Sequence, residues 1–153
     1  MRWVNAEPEH VVAISLQPAQ REVVDYRQAW ANEIDPDFLA SFSRTLLDAS
    51  GAPRLCVGAV PVRPGVGSVW LLLSTGVSAF HVARGTLRWL RYIENREGFH
   101  RVEASADIAH EEAQSFLAWL GFEVETPRAR LYGPAPACAT HVLYVRFPQQ
   151  GVH

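Results

Sequence analysis

The run Val69-Trp70-Leu71-Leu72-Leu73-Ser74 constrains this chain most, because it is apolar without alternation. Such a run is expected as a central strand covered on both faces. The segments after it keep a fixed order. GSVWLLLST leads to a turn, then VARGTLRWLRYIENREG as a long helix, HRVEASA as a strand, and HEEAQSFLAWLGFEVE as a second helix and strand. The stretch from Gly67 to Glu125 is therefore the frame on which the other segments are placed.

Composition narrows the class. The chain has 153 residues, enough to bury one full hydrophobic core, and is expected to form a single domain over 1–153. Its formal net charge of -2 gives no strong nucleic-acid signal, since phosphate binding needs a concentrated basic surface. All 14 basic residues are arginine, as codon bias in a GC-rich genome produces. Cys56 lies in an apolar run and reads as a small buried hydrophobe; its spacing to Cys138 suggests neither zinc nor a disulfide framework. No membrane segment is read, because no apolar run approaches the length of a spanning helix.

Before the central strand, residues 1–9 read as an irregular lead-in and HVVAIS (10–15) as a first strand. Pro18 opens a helix through AQREVVDYRQAWAN, with Arg21, Glu22, Asp25 and Arg27 as a solvated face. Asp35-Pro36-Asp37 starts a short helix, and SRTLLDA with RLCVGAVPV forms a hairpin across Ser-Gly-Ala-Pro. PVRPGVG is expected to be a turn.

After it, a helix over about 82–97 buries Ala83, Leu87, Leu90 and Ile93 (or Tyr92), and shows Arg84, Arg88 and Arg91 as a stripe on another face. Gly98 stops it, and Asp107 can cap the next helix, whose buried face is Ala113, Phe116, Leu117 and Leu120. Gly121 ends that helix, TPRARLYGPAPACA (126–139) reads as a long loop, HVLYVRF as the last strand, and PQQGVH as a tail.

HEEAQSFLAWLGFEVE is similar to the helix motif of the GNAT acetyltransferase superfamily, with Ala113, Leu120, Gly121 and Phe122 in register. LQPAQREVVDYRQAW, GSVWLLLST and AWLGF resemble, more narrowly, the phage proteins classed as internal virion protein A. The resemblance implies a mixed α/β (α+β) fold: a mostly antiparallel central sheet of six to seven strands flanked by about four helices. It also implies a glycine-rich turn after VWLLLS, where backbone N–H groups and a helix N-terminus meet the cofactor pyrophosphate. Here that turn keeps Gly76 and the fragment Arg84-Gly85-Thr86 as its cofactor-binding candidates. The family's acid tyrosine falls on Leu117, which has no proton to give, and its asparagine on His110.

His110 and Glu103 are the remaining candidate bases. His81 precedes the long helix, where an imidazole can meet a phosphate, and His81, His100, His110 and His141 lack metal-site spacing, so no metal is expected. The expectation is an acetyltransferase-fold phage protein with degenerate catalysis and no cofactor. It would sit in the virion or the infected host's cytoplasm and contact other virion or phage proteins. Arg84, Arg88 and Arg91, the 126–139 loop, and Trp3, Trp30 and Trp119 are the contact candidates. The alternatives are a divergent acetyl-CoA-dependent N-acetyltransferase using His110 or Glu103, and a non-catalytic binder of coenzyme A or another nucleotide.

Overall fold

The computed structural model describes residues 1–77 and 79–148; the side chains of Ala19, Arg21, Glu22, Asp25, Ala79, Phe80 and His81 lie outside that description, as does most of the tail. Seven strands form one mixed sheet in the order β1-β2-β3-β4-β5-β7-β6. They are β1 (Arg2–Asn5), β2 (Ser43–Leu47), β3 (Pro53–Arg63), β4 (Val66–Leu73), β5 (Arg101–Asp107), β6 (Glu123–Ala129) and β7 (His141–Arg146). Among the described residues there are five α-helices: α1 (Pro8–Ala13), α2 (Val24–Glu33), α3 (Pro36–Phe42), α4 (Ala79–Glu97) and α5 (Glu111–Trp119), with a 3-10 helix over Pro18–Val23. None is long and apolar enough to cross a membrane. The chain divides into two compact units, Met1–Ala59 with Trp70–Val82, and Val60–Val69 with Ala83–His153.

In the first unit the N-terminal readings change places. Arg2–Asn5 is a strand because it pairs antiparallel with Leu47–Arg44, a partner that no local pattern announces. HVVAIS is instead helical. Pro8 stands in the first turn, and the Glu7 backbone N–H donates to His10 Nδ1 at 3.1 Å. Val11 and Ile14, three apart, are both buried, the spacing of a helix face that a short apolar run does not distinguish from a strand. Val11, Ile14, Cys56 and Leu72 form the core cluster, with Leu16, Val23, Trp30 and Trp70 packed on it. Trp30 meets Trp70 edge-on at 5.7 Å. Burial pushes the Cys56 thiol up to about 11, which keeps it inert.

Arg27, read as solvated, donates Nη1 to Ile14 O at 2.7 Å and closes the end of α1. Asp35 caps α3 as expected, accepting from Asp37 N–H at 3.0 Å. The β2–β3 hairpin forms, although β2 follows β3 only as far as Gly58. Pro61 therefore lies in a stretch of β3 that β2 leaves unpaired, so the strand runs on to Arg63 and the turn shrinks to Pro64-Gly65. The central strand is less covered than its composition suggests: Leu72 and Ser74 are buried, whereas Val69, Trp70, Leu71 and Leu73 are half-buried.

In the second unit, β4 pairs in parallel with β5 through Val66–Arg101, Gly67–Val102 and Ser68–Glu103. β5 then pairs antiparallel with β7 along its whole length, and β7 with β6. α4 buries Ala83, Leu90 and Ile93 and shows Arg84, Arg88 and Arg91 to solvent, as their spacing predicts. It ends before Gly98 at φ +66. α5 is shallower than expected, with Ala113, Phe116 and Leu117 half-buried. Asp107 does not cap it but accepts from Ala109 N–H at 2.9 Å, leaving His110 at the cap position. β6 reaches Ala129 through two register irregularities, since Pro127 is tolerated on an edge strand; the loop read over 126–139 therefore begins only at Arg130.

A buried ion pair joins these elements. Arg146 donates Nε and Nη2 to the Glu94 carboxylate at 2.8 and 3.1 Å, and Nη1 to Leu120 O at 2.6 Å. Gly121, at φ +89, makes room for it, since a Cβ there would lie 2.7 Å from Arg146 Nη1. Glu94 is only 5% exposed. Removing one partner leaves the other charge buried and uncompensated. Glu94→Ala is expected to lose about 3–5 kcal/mol in urea unfolding; a loss below about 1 kcal/mol would show that Arg146 relaxes into water.

Candidate functional site

In the first unit, the turn from β4 into α4 is built by hydrogen bonds from other segments. Ser74 N–H donates to Arg54 O at 2.9 Å, toward β3, and Thr75 N–H donates to Ser15 O at 3.1 Å. Gly76 takes φ +76, and a Cβ there would meet only Arg54 Nη2, at 3.8 Å. That guanidinium donates to Thr75 O at 3.0 Å. α4 then starts at Ala79 with no acidic residue in its first turn. A positive side chain, an open glycine turn and the positive end of a 19-residue helix thus follow one another along the chain. Gly85 and Thr86 lie beyond that first turn, where backbone N–H groups belong to the helix ladder, and Thr86 is buried; Arg84 is exposed. The His81 side chain lies outside the described residues.

The edge of β4 is occupied as well. Ser74 faces β3, so by the alternation of antiparallel pairing Leu71 and Leu73 direct their N–H and C=O groups away from it. Gln20 Nε2 donates to Leu71 O at 2.8 Å, and Leu73 N–H donates to Gln20 Oε1 at 2.8 Å. Gln17 N–H donates to Leu73 O at 3.1 Å, and Leu16 bridges Ser74.

In the second unit, β5 carries Arg101, Glu103, Ser105 and Asp107 on one face and buries Val102, Ala104 and Ala106 on the other. Glu103 accepts from Arg101 Nε at 2.8 Å and from Arg63 Nη2 at 3.4 Å, so its carboxylate is engaged by two guanidinium groups. Arg101 also holds Glu125 through both terminal nitrogens. Hydrogen bonds from Glu125 and then Glu103 hold the Arg101 pKa above its ordinary value, and the bond from Arg101 holds Glu125 below its own. His110 is half-buried at the start of α5, with no side-chain capping bond, and its carbonyl accepts from Gln114 N–H at 3.2 Å.

Two polar groups that the sequence does not single out stand on β7. His141, 8% exposed, places Nδ1 3.3 Å from Ser105 Oγ on β5, and the Tyr132 ring lies 5.3 Å from its own. Ser105 is exposed, and an open concavity of about 770 Å3 has Arg130, Leu131 and Thr140 on its wall. On the opposite face of β7, Tyr144 donates its hydroxyl to Gln114 Oε1 at 3.3 Å, and Gln114 Nε2 donates to Ile108 O at 2.9 Å. Burial raises the Tyr144 pKa and keeps the phenol protonated. Gln114 is three residues before Leu117 on α5, so the Tyr144 hydroxyl reaches the same helix face as the position that lacks an acid. Neither pairing has a sequence signal, because each joins residues at least 30 positions apart. Among the described residues, no three His, Cys, Asp or Glu side chains are grouped to hold a metal ion.

No protein-family model matches the chain, and no curated protein matches it. Solved structures do. The ribosomal-protein-S5-alanine acetyltransferase from Vibrio fischeri has a TM-score of 0.71 over 99% of this chain and 94% of that one, at 15% identity. The putative acetyltransferase yncA from Salmonella typhimurium, solved with its cofactor acetyl-CoA, has a TM-score of 0.71 over 100% and 96%, at 13% identity. A GNAT superfamily phosphinothricin acetyltransferase from Sinorhizobium meliloti, in complex with AcCoA, has a TM-score of 0.69 over 99% and 95%, at 16% identity. The chain has the GNAT acetyltransferase fold, as the sequence resemblance implied.

The Arg101–Glu125 pair sets a pH dependence. A carboxylate with a lowered folded pKa adds stability above its ordinary value of 4.5, and loses it as pH falls through the lower folded value. Glu125→Gln is expected to lower Tm slightly at pH 7, with the difference from the parent closing in acid below about 4.5 and in 1 M salt. A Tm difference independent of pH and salt would assign the effect to packing.

Proposed function

We propose that the protein is an acetyl-CoA-dependent N-acetyltransferase. The observation that carries this is the match of nearly the whole chain to acetyltransferases, two of them solved with acetyl-CoA. The residues present suit the cofactor's phosphate end: Arg54 offers a cation, Gly76 an open turn, and the start of α4 the positive end of a helix dipole. Arg54 supplies here the charge that the sequence sought in Arg84-Gly85-Thr86. When bound, acetyl-CoA supplies the activated acetyl thioester.

Within the second unit, Tyr144 Oη is the candidate acid: a protonated phenol bonded to Gln114, on the helix face where Leu117 has no proton to give. Ser105 and His141 stand on the opposite face of β5–β7, and one tetrahedral carbon bears both amine and thiol, so that pair does not serve the same step and the proton that the amine loses passes to solvent. The Glu103 oxygens already accept from Arg101 and Arg63. A surface role in virion assembly rests on the exposure of Arg84, Arg88 and Arg91 alone, which a solvated helix face shares.

Calorimetry is expected to find acetyl-CoA binding with a dissociation constant on the order of micromolar, weakened about tenfold in Arg54→Gln. No heat of binding, with the protein folded, would remove the enzyme reading. Given an acceptor amine found by screening, Tyr144→Phe should lower kcat about a hundredfold at unchanged cofactor affinity. Parental kcat in that variant would take Tyr144 out of the mechanism.

A further inference from the structure

The Gln20 carboxamide makes the two contacts that one residue of a neighbouring strand would make, its syn N–H and its C=O facing the same edge. Its donor meets Leu71 O and its acceptor meets Leu73 N–H, both at 2.8 Å, on the edge of β4 that faces away from β3. Ser15–Gln17 extends the same pairing past the strand end, through Gln17 N–H to Leu73 O and Thr75 N–H to Ser15 O. One side chain and a three-residue connector thus satisfy the β4 edge from Leu71 to Thr75, which would otherwise offer a row of open donors and acceptors.

An edge of this kind reads amides. Extended ligands add to such a strand through main-chain hydrogen bonds, in which the N–H of one amide and the C=O of the next, flanking a short spacer, face the edge together and meet a C=O and an N–H two residues apart. The arm of coenzyme A carries secondary amides, and the turn proposed for its phosphates begins directly after Leu73. The segment that carries Gln20 is suited to leaving. It is a 3-10 helix, whose hydrogen bonds are poorer than those of an α-helix, and Gln20 N–H donates to Gln17 O at 2.9 Å at its start.

We propose that Gln20 is a latch acting within the chain. Its carboxamide occupies the amide-reading edge of β4, and the amide-bearing arm of acetyl-CoA pairs there only after Gln20 has swung out. The proposal rests on the acetyl-CoA reading above and adds a competition to it. A protein whose binding-competent form is a minor population has its affinity reduced by that fraction. Two partly buried hydrogen bonds are enough to make the open form the minor one.

The test compares the whole protein with Gln20→Ala and with Gln20→Met, which keeps the side-chain bulk and removes the amide. Acetyl-CoA affinity is read by calorimetry and Leu73 amide exchange by NMR, after thermal unfolding has confirmed that each variant folds. Both variants are expected to bind acetyl-CoA about tenfold tighter than the parent, and to exchange the Leu73 amide faster when free of ligand. If the parent binds and the folded variants bind equally or more weakly, Gln20 is structural or contacts the ligand, and the latch is overturned alone. If neither parent nor variants bind, the cofactor reading falls and the latch with it, and faster Leu73 exchange would then mark Gln20 as a purely structural clamp.

Discussion

Past its pairing with β5 at Val66–Ser68, the edge of β4 that faces away from β3 must be satisfied, and much of the first unit derives from that need. Backbone N–H and C=O groups that are partly withdrawn from water cost free energy unless bonded. Leu71, Leu73 and Thr75 present theirs on the side away from β3, and the N-terminal segment supplies the partners. α1 turns the chain so that Ser15–Gln17 arrives alongside, and Arg27 fixes the end of that helix by donating to Ile14 O. Leu16 is carried into the cluster of Val11, Ile14, Cys56 and Leu72 by the same placement. The hydrophobic packing and the edge pairing therefore select one geometry.

The second unit is organised by charge inside and outside. Arg146 and Glu94 form a buried pair in which a further guanidinium donor goes to Leu120 O, so the cost of burying both charges is offset by three hydrogen bonds from Arg146. Outside, Arg63, Glu103, Arg101 and Glu125 alternate in sign across one sheet face, an arrangement that solvent screens and pH erodes. Tyr144 and His141 stand on the two faces of β7, and each is tied to an element distant in sequence. No short motif contains these pairings.

That explains which parts were legible. The α4 and α5 helices, the hairpin and the last strand could be read because period and turn residues act locally, and the GNAT fold through the resemblance carried by HEEAQSFLAWLGFEVE. β1 could not, since its pairing with Leu47–Arg44 lies about forty residues away, and HVVAIS gave the wrong element because four apolar residues fit either period. The site was harder still. The sequence pointed to Gly76 and to the loss at Leu117, but not to Arg54, Gln20 or Tyr144, whose roles depend on contacts 21, 53 and 30 residues away. Reading the family's motif alone suggested chemistry removed, whereas the side chains brought together by the fold suggest chemistry relocated.

Co-crystallisation with acetyl-CoA tests this account most directly. The cofactor's arm is expected to bond to Leu71 O and Leu73 N–H along the outer edge of β4, with its phosphates at Arg54 and Gly76 and the Gln20 side chain turned out. A complex with Gln20 still on β4 and the cofactor bound elsewhere would contradict it.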